Sequence, residues 1–339
     1  MMKQEIKKEL SRILYDIKKH KNSKTGFVIS TTSKQTNKKI IFLPIRKTIY
    51  GVFGVATVYD LSIAKQIAKL VDGKIDFILV DAERKLENIQ NLTKVISSIT
   101  KKTKVLTFKN NDLTANSADA LIVNLLNNDY TKKISIIGMG NIGTKLALKL
   151  VERGFEVFIA SRNLDKTRKI AASLNLIKPK FCKSKIHPLN TNKVATHADL
   201  LVGFSSGNPT IDENIVQKMK NNSIIIDGGI GTINDNGIKK ARMKKIKIFR
   251  LDIRPGFVSE VSLILETEDF LNYTMGKKNL KGIKIVAGGY YGNFGDVIVN
   301  NITKPTRVIG IADGHGDIVR DNLTKQMVMK LNRVKKILC

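Results

Sequence analysis

Short runs of β-branched and apolar residues alternate with longer segments of helical periodicity in the first third of the chain. Apolar runs of this length predict strands at 27–31, 40–44, 49–56, 75–80 and 104–108. Apolar residues spaced three and four apart predict helices at 2–20, 61–71, 85–99 and 112–126. Such alternation is typical of a parallel or mixed sheet covered by helices. We therefore expect an N-terminal α/β domain.

The alternation is more regular after residue 130. Strands are predicted at 133–137, 155–160, 199–204, 223–227 and 247–252, and helices at 144–153, 166–174, 211–219 and 237–244. The predicted fold class is α/β, with a Rossmann doubly wound parallel sheet following the N-terminal α/β domain. The predicted domains are residues 1–115 and 116–275. For the C-terminal segment, 276–339, the pattern predicts only a strand at 307–311 and a final helix from Asp321.

A glycine-rich turn joins the strand at 133–137 to the helix that follows it. The turn contains Gly138, Gly140 and Gly143, with Asn141 and Ile142 between the last two. In a strand–turn–helix context this spacing predicts a dinucleotide site. The first glycine permits the tight turn, the second lets the backbone approach a pyrophosphate, and the third lets the helix pack close to the strand. The alternative is a glycine-rich turn that binds nothing.

The end of the second strand of this domain indicates which dinucleotide is bound. NAD-binding chains usually carry a carboxylate there for the ribose 2′-hydroxyl. This chain has Ser161, Arg162 and Asn163 instead, and a guanidinium matches the oxygens of a 2′-phosphate. We therefore favour NADP over NAD. The alternative is an ordinary basic helix start in solvent.

Two further loops follow buried strands, at 203–209 and 228–232, and both are rich in small residues. In an open α/β sheet, ligands bind at the carboxyl ends of the strands, so Ser205 and Gly229 are candidates for cofactor contact. Ordinary turn chemistry is the other explanation, because glycine and serine supply it equally well.

The four histidines offer little chemistry. His20, His187 and His197 lie far from predicted strand ends, and we interpret them as structural. His315 lies between two glycines after a strand, so it has a candidate site role, with a plain turn as the alternative. Cys182 and Cys339 form no metal or disulfide framework, and no metal site is predicted.

The formal net charge of +30 comes from 59 Lys and Arg against 29 Asp and Glu. A nucleic-acid or membrane-surface partner would explain it, and so would a compositional bias toward lysine. Aromatic residues make up only 6% of the chain and no nucleic-acid-binding motif is present, so we do not expect specific nucleic-acid binding. No apolar run reaches the ~18 residues of a membrane span, and the charged N-terminus predicts a cytoplasmic protein.

The cofactor half resembles the shikimate/quinate dehydrogenase-type enzymes and the related methylene-tetrahydrofolate-type dehydrogenases. The resemblance covers roughly residues 40–260 and is carried by Gly138–Gly143, by Ser161-Arg162-Asn163 and by Asp199-Leu200-Leu201. It implies a two-domain, NADP-dependent oxidoreductase. By position it assigns a catalytic lysine and aspartate to Lys85 and Asp112. A lysine beside a carboxylate can relay a proton to a substrate hydroxyl; ordinary helix-start charges are the alternative.

The family's Ser-x-Ser substrate motif and its Asn-Val-Thr-x-Pro-x-Lys run are absent from the N-terminal half. We therefore expect an NADP-dependent oxidoreductase for a small polar or anionic substrate bound in an interdomain cleft. The alternatives are a regulatory protein that binds a nucleotide without catalysis and a basic nucleic-acid-binding protein. The substrate, the reaction direction and a homo-oligomeric state are left open.

Overall fold

The computed structural model describes residues 2–20, 23–33, 37–89, 91–196, 198–205 and 208–338. His197, Cys339 and part of the loop after Ser205 lie outside these ranges. The chain forms two compact units, residues 1–260 and residues 261–339. No helix in the described ranges has both the length and the apolar character needed to cross a bilayer.

The first unit begins with a five-stranded mixed sheet. Its elements are α1 (Met2–Lys18), β1 (Lys24–Ser30), β2 (Ile40–Thr48), β3 (Gly51–Val58), α2 (Leu61–Val71), β4 (Phe77–Asp81), α3 (Leu92–Ile99) and β5 (Lys104–Phe108). The strand order is β2-β3-β1-β4-β5, and only β2 runs antiparallel to its neighbour. Its core includes the buried apolar face of α1 and the inner face of α2, as the sequence spacing predicts.

The prediction of a helix over 85–99 is wrong in its first half. The helix is α3 and begins at Leu92, so Lys85 lies in the loop after β4. The Asp81 carboxylate accepts a hydrogen bond from the backbone N–H of Glu83 at 3.1 Å, and such a local bond gives the backbone an alternative to helix. Asn91 then takes a left-handed conformation with φ of 52° just before α3.

A six-stranded parallel sheet occupies the rest of the first unit. Its elements are α4 (Asn110–Leu125), β6 (Lys133–Ile137), α5 (Asn141–Glu152), β7 (Glu156–Ala160), α6 (Leu164–Ile177), β8 (Ile186–Pro188), α7 (Thr191–Val194), β9 (Leu200–Gly203), α8 (Glu213–Lys218), β10 (Ile224–Asp227), α9 (Asp235–Met243) and β11 (Lys247–Arg250). The strand order is β11-β10-β9-β6-β7-β8. The order reverses direction between β6 and β9, which confirms the doubly wound Rossmann fold predicted from the sequence.

Most elements of the second unit were not predicted from the hydrophobic pattern. After α10 (Arg254–Asp269) and a π-helical turn (Phe270–Thr274), the chain forms β12 (Gly276–Leu280), β13 (Ile283–Ala287), β14 (Val297–Val299), β15 (Val308–Ile311) and α11 (Lys325–Leu338). The four strands make one sheet in the order β12-β13-β14-β15. Its core contains Ile285, Val297, Ile311 and Val334. Only β15 and the final helix were predicted.

Asp72, at the end of α2, gives the first testable prediction. The backbone N–H groups of Lys101, Lys102 and Thr103 donate to its carboxylate and lower its pKa from 3.8 to about 2. A carboxyl group with a lowered pKa in the folded state stabilises the protein above its unfolded pKa. We expect Asp72→Asn to lower the urea midpoint at neutral pH.

The difference between wild type and Asp72→Asn should narrow as the pH falls below 3.8 toward about 2, because the wild-type carboxylate is then protonated. Urea unfolding followed by circular dichroism at several pH values measures this. A difference independent of pH would show that the carboxylate charge is not what stabilises the loop.

Candidate functional site

The glycine-rich turn has the geometry that its spacing predicts at two of its glycines. Gly138 has a positive φ of 103°, and a Cβ there would lie 2.6 Å from the carbonyl oxygen of Phe204. A Cβ on Gly143 would overlap the carbonyl oxygen of Gly138. These two positions therefore require glycine for the turn itself and for the close contact between α5 and β6.

Gly140 differs from both neighbours because its surroundings are open. It caps α5 with φ of −90°, and a Cβ at this position would have no atom within 4 Å. Asn141 and Ile142 form the first turn of α5, where backbone N–H groups have no partner within the helix. An open space beside such N–H groups fits a phosphate, since the helix N-terminus favours negative charge.

The residues after β7 divide into two that stabilise the turn and one that faces solvent. The Ser161 hydroxyl lies 2.7 Å from that of Thr167, and the Asn163 side chain accepts a hydrogen bond from the N–H of Lys166 at 2.9 Å, capping α6. Arg162 is exposed and makes no ion pair with any residue that the structure describes. Of the three, Arg162 is the side chain available to a ligand.

The loops after β9 and β10 lie against each other. A Cβ on Gly229 would lie 2.5 Å from the carbonyl oxygen of Ser205, and one on Gly228 would meet the ring of Phe204. Because the carbonyl of Phe204 also contacts Gly138, the three predicted loops meet at the switch point of the sheet. The structure thus brings Ser205 and Gly229 next to the glycine-rich turn.

Ile230 was not singled out in the sequence. It has φ of 59°, which is unusual for a β-branched residue, and its side chain is 53% exposed. Asp227 holds the loop: its carboxylate accepts from the N–H of Gly231 at 2.7 Å and from the Thr232 hydroxyl at 2.8 Å. Strained residues held in this way often occur at binding sites.

Lys85 lies in a buried ion-pair cluster at the carboxyl end of β4. Its Nζ is 2.7 Å from Asp81 and 3.0 Å from Glu83, and only 7% of the Lys85 side chain is exposed. Asp81, fully buried, also accepts hydrogen bonds from the backbone N–H and the hydroxyl of Thr31. Buried charges need such partners because the interior solvates them poorly.

Asp112 lies at the more exposed end of the same cluster. It pairs with Lys145 of α5 and lies 3.5 Å from Lys109. Lys145 also lies 3.7 Å from Glu83. Lys85 and Asp112 are therefore connected through Glu83 and Lys145 rather than by the direct pair that the resemblance implies. Two features of the sequence could have pointed to this network. They are the charged residues at 81–85 and Lys145 in the second turn of α5.

Two carboxyl groups near this cluster have shifted pKa values of opposite sign. Burial opposes ionisation of Asp112, but the hydrogen bond and charge of Lys145, together with Lys109, lower its pKa overall. Burial raises the pKa of Glu260, and the negative charges of Asp112 and Glu83 raise it further. The cluster therefore contains a carboxylate that stays ionised and a carboxyl group that keeps its proton to higher pH.

The histidines that the structure describes play no part in this cluster. His187 lies 2.6 Å from Glu156 and stacks on Phe158, while the backbone N–H of His315 donates to Asp313 in an exposed turn. Within the ranges that the structure describes, no group of His, Cys, Asp and Glu is arranged to hold a metal ion.

Comparison with known proteins identifies the class of the nucleotide-binding half. Residues 133–227, from β6 to the end of β10, match the family model described as NADP oxidoreductase, coenzyme F420-dependent. Together with the fold, this match defines an oxidoreductase-type Rossmann fold. The matched segment is less than a third of the chain. It says nothing of shikimate or methylene-tetrahydrofolate dehydrogenases.

No curated protein matches the chain. Among solved structures, dipicolinate synthase A chain from Bacillus subtilis has 14% identity and a TM-score of 0.36, with 71% of this chain and 78% of that chain covered. L-tryptophan dehydrogenase from Nostoc punctiforme has 11% identity and a TM-score of 0.43, with 72% and 74% covered. Ornithine carbamoyltransferase from Pyrococcus furiosus has 10% identity and a TM-score of 0.44, with 78% of this chain and 96% of that chain covered. At such low identities these likenesses identify no reaction for this chain.

Proposed function

We propose that the protein is an NADP-dependent oxidoreductase that acts on a small polar, anionic substrate. The observation that carries this proposal is the open space at Gly140, where a Cβ would have no atom within 4 Å at the N-terminus of α5. The matched family of NADP oxidoreductases supports it, since that match covers the same turn.

The preference for NADP rests on Arg162. It is exposed after β7, and the neighbouring Ser161 and Asn163 supply no carboxylate to accept from a ribose 2′-hydroxyl. The side chains of Ser161 and Asn163 fix the turn from which Arg162 projects. A guanidinium at this place pairs with a 2′-phosphate through two parallel hydrogen bonds.

The substrate would bind where α5 meets the carboxyl ends of β4 and β5. Lys145 and Asp112 form the accessible end of the charge cluster, with 33% and 32% of their side chains exposed. Lys145 attracts an anionic group, and Asp112 accepts a hydrogen bond from a substrate hydroxyl. Asp112 takes the proton that the substrate hydroxyl loses when the substrate is oxidised and returns it in the reverse direction, while Lys145 orients the Asp112 carboxylate. Lys85 holds Glu83 from the buried side. NADP supplies the hydride acceptor or donor.

Removing the guanidinium tests the cofactor assignment. We expect Arg162→Ala to weaken NADPH binding by about 10- to 100-fold, because a hydrogen bond to a charged group contributes roughly 1.5–3 kcal/mol. NADH binding should change little, since NADH lacks the 2′-phosphate. Fluorescence titration of both nucleotides with wild type and variant measures the difference.

Arg168→Ala is the matched control. Arg168 is also exposed and lies on α6, which begins two residues after Arg162, but it already pairs with Asp165 at 3.1 Å, so its removal should leave NADPH binding unchanged. An equal loss for NADH and NADPH in Arg162→Ala would reject the 2′-phosphate contact. If wild type binds neither nucleotide, the oxidoreductase proposal fails, and a Rossmann domain without catalysis or a nucleic-acid-binding protein replaces it.

A further inference from the structure

The second unit presents exposed aromatic rings that the proposed reaction does not use. Tyr291 and Phe294, in the loop after β13, are 70% and 67% exposed. Singly exposed apolar side chains are ordinary, but neighbouring exposed rings on one surface mark interaction sites. Both are in one loop, only three residues apart.

This loop is fixed against the turn at 313–317. A Cβ on Gly316 would lie 2.6 Å from the ring of Tyr291, and one on Gly314 would lie 3.2 Å from the backbone nitrogen of Phe294. Gly295 donates its N–H to the carbonyl of Ala312 at 3.0 Å. The Tyr291 ring and the backbone of Phe294 therefore lie against this turn, while both side chains remain largely exposed.

Positive charge surrounds the loop. Lys277 lies 5.6 Å from the ring centre of Tyr290, and Lys330 donates to the carbonyl of Gly295 at 3.0 Å. From β12 to α11, residues 276–338 contain twelve Lys and Arg but only four Asp and Glu. Basic residues that flank exposed rings are the arrangement by which proteins bind single strands.

Of the four carboxylates of this region, Asp317 pairs with Arg320 at 3.1 Å, and two others bind backbone N–H groups of their own loops. Asp296 accepts from the backbone N–H of Asn293 at 2.9 Å, and Asp313 accepts from those of His315 and Asp317 at 2.7 and 3.0 Å. Because these groups cap their own loops, the positive charge remains available to an anionic partner.

We propose that Tyr291 and Phe294, with Tyr290, Lys277 and Lys330, form a surface that binds single-stranded nucleic acid. Bases stack on the two exposed rings, and the phosphates lie beside the lysines. The expectation of no specific nucleic-acid binding came from the scarcity of aromatic residues along the sequence. The three rings are already close together in the sequence at 290–294, and folding adds Lys330, which reaches the carbonyl of Gly295 from 35 residues further along the chain.

Binding of a fluorescent oligonucleotide by the full-length protein tests the proposal. With dT and rU oligomers of about 12 nucleotides, fluorescence anisotropy should show binding. The logarithm of the association constant should fall linearly with the logarithm of the salt concentration. Tyr291→Ala and Phe294→Ala should each raise the dissociation constant about tenfold, because one stacked base is lost. Tyr291→Phe keeps the ring and should bind as wild type does.

Phe181→Ala is the matched control. Phe181 lies in the first unit, is 89% exposed and has Lys180 5.8 Å from its ring centre. Like the proposed surface, it combines an exposed ring with a nearby lysine, yet its removal should leave oligonucleotide binding unchanged. Circular dichroism would verify that each variant is folded.

Three results would overturn the proposal. The first is a wild-type protein that binds neither oligomer at low salt, which would leave these rings to another kind of partner. The second is salt-dependent binding that Tyr291→Ala and Phe294→Ala do not weaken, which would indicate charge attraction alone. The third is an equal loss in Phe181→Ala.

Discussion

Gly140→Val should remove NADPH binding while leaving the fold intact. A side chain at this position meets no protein atom within 4 Å, so it would occupy the space assigned to the pyrophosphate. The backbone, with φ of −90°, is accessible to valine. We expect the dissociation constant to rise at least ~100-fold, which corresponds to about 3 kcal/mol. Fluorescence titration with NADPH measures it.

Gly143→Ala provides the contrast, because its Cβ would overlap the carbonyl oxygen of Gly138. Overpacking should lower the free energy of unfolding of this variant by about 1–3 kcal/mol. The free energy of unfolding of Gly140→Val, measured in urea, should lie within about 0.5 kcal/mol of the wild-type value. If Gly140→Val bound NADPH like wild type, the space at Gly140 would not be the phosphate site.

Lys85→Met should cost the protein about 3 kcal/mol of unfolding free energy. The substitution keeps the apolar stem of the side chain but removes the cation 2.7 Å from Asp81, a residue whose side chain is fully buried. Breaking a buried ion pair from one side leaves an uncompensated charge. Urea unfolding at neutral pH measures the loss.

Two comparisons make this result specific. Lys19→Ala removes a lysine from an exposed pair with Asp16 at 3.3 Å and should have little effect, since exposed pairs contribute little. Combining Lys85→Met with Asp81→Asn should recover part of the loss, because no unpaired charge then remains. A Lys85→Met protein as stable as wild type would mean that the ion pair is not buried in solution.

The glycine-rich turn could be predicted from the sequence because the residues that form it are close together along the chain. Gly138, Gly140 and Gly143 act within one strand–turn–helix unit, and the strands on either side have continuous β-branched runs. For the same reason the bounds of β5, β6 and α2 agree with the prediction. Arg162 was named as a candidate because it follows a predictable strand, and the structure shows that it is exposed.

Lys85 shows where local reasoning fails. The apolar spacing of 85–99 favours a helix, but the segment that begins at Asp81 forms a turn closed by Lys85, and the helix begins only at Leu92. The link from Glu83 to Lys145 joins residues 62 positions apart in the chain. The spacing of apolar residues within one segment cannot predict an ion pair between two distant segments.

The sequence by itself determined the Rossmann half and its glycine-rich turn, because periodicity and glycine spacing are properties of neighbouring residues. Only the tertiary structure decided which charges meet at Lys85 and Asp112, and that Lys330 lies against the loop that carries the exposed rings of the second unit. Both depend on contacts between segments that are distant along the chain. Chain topology sets those distances, and no local pattern encodes them.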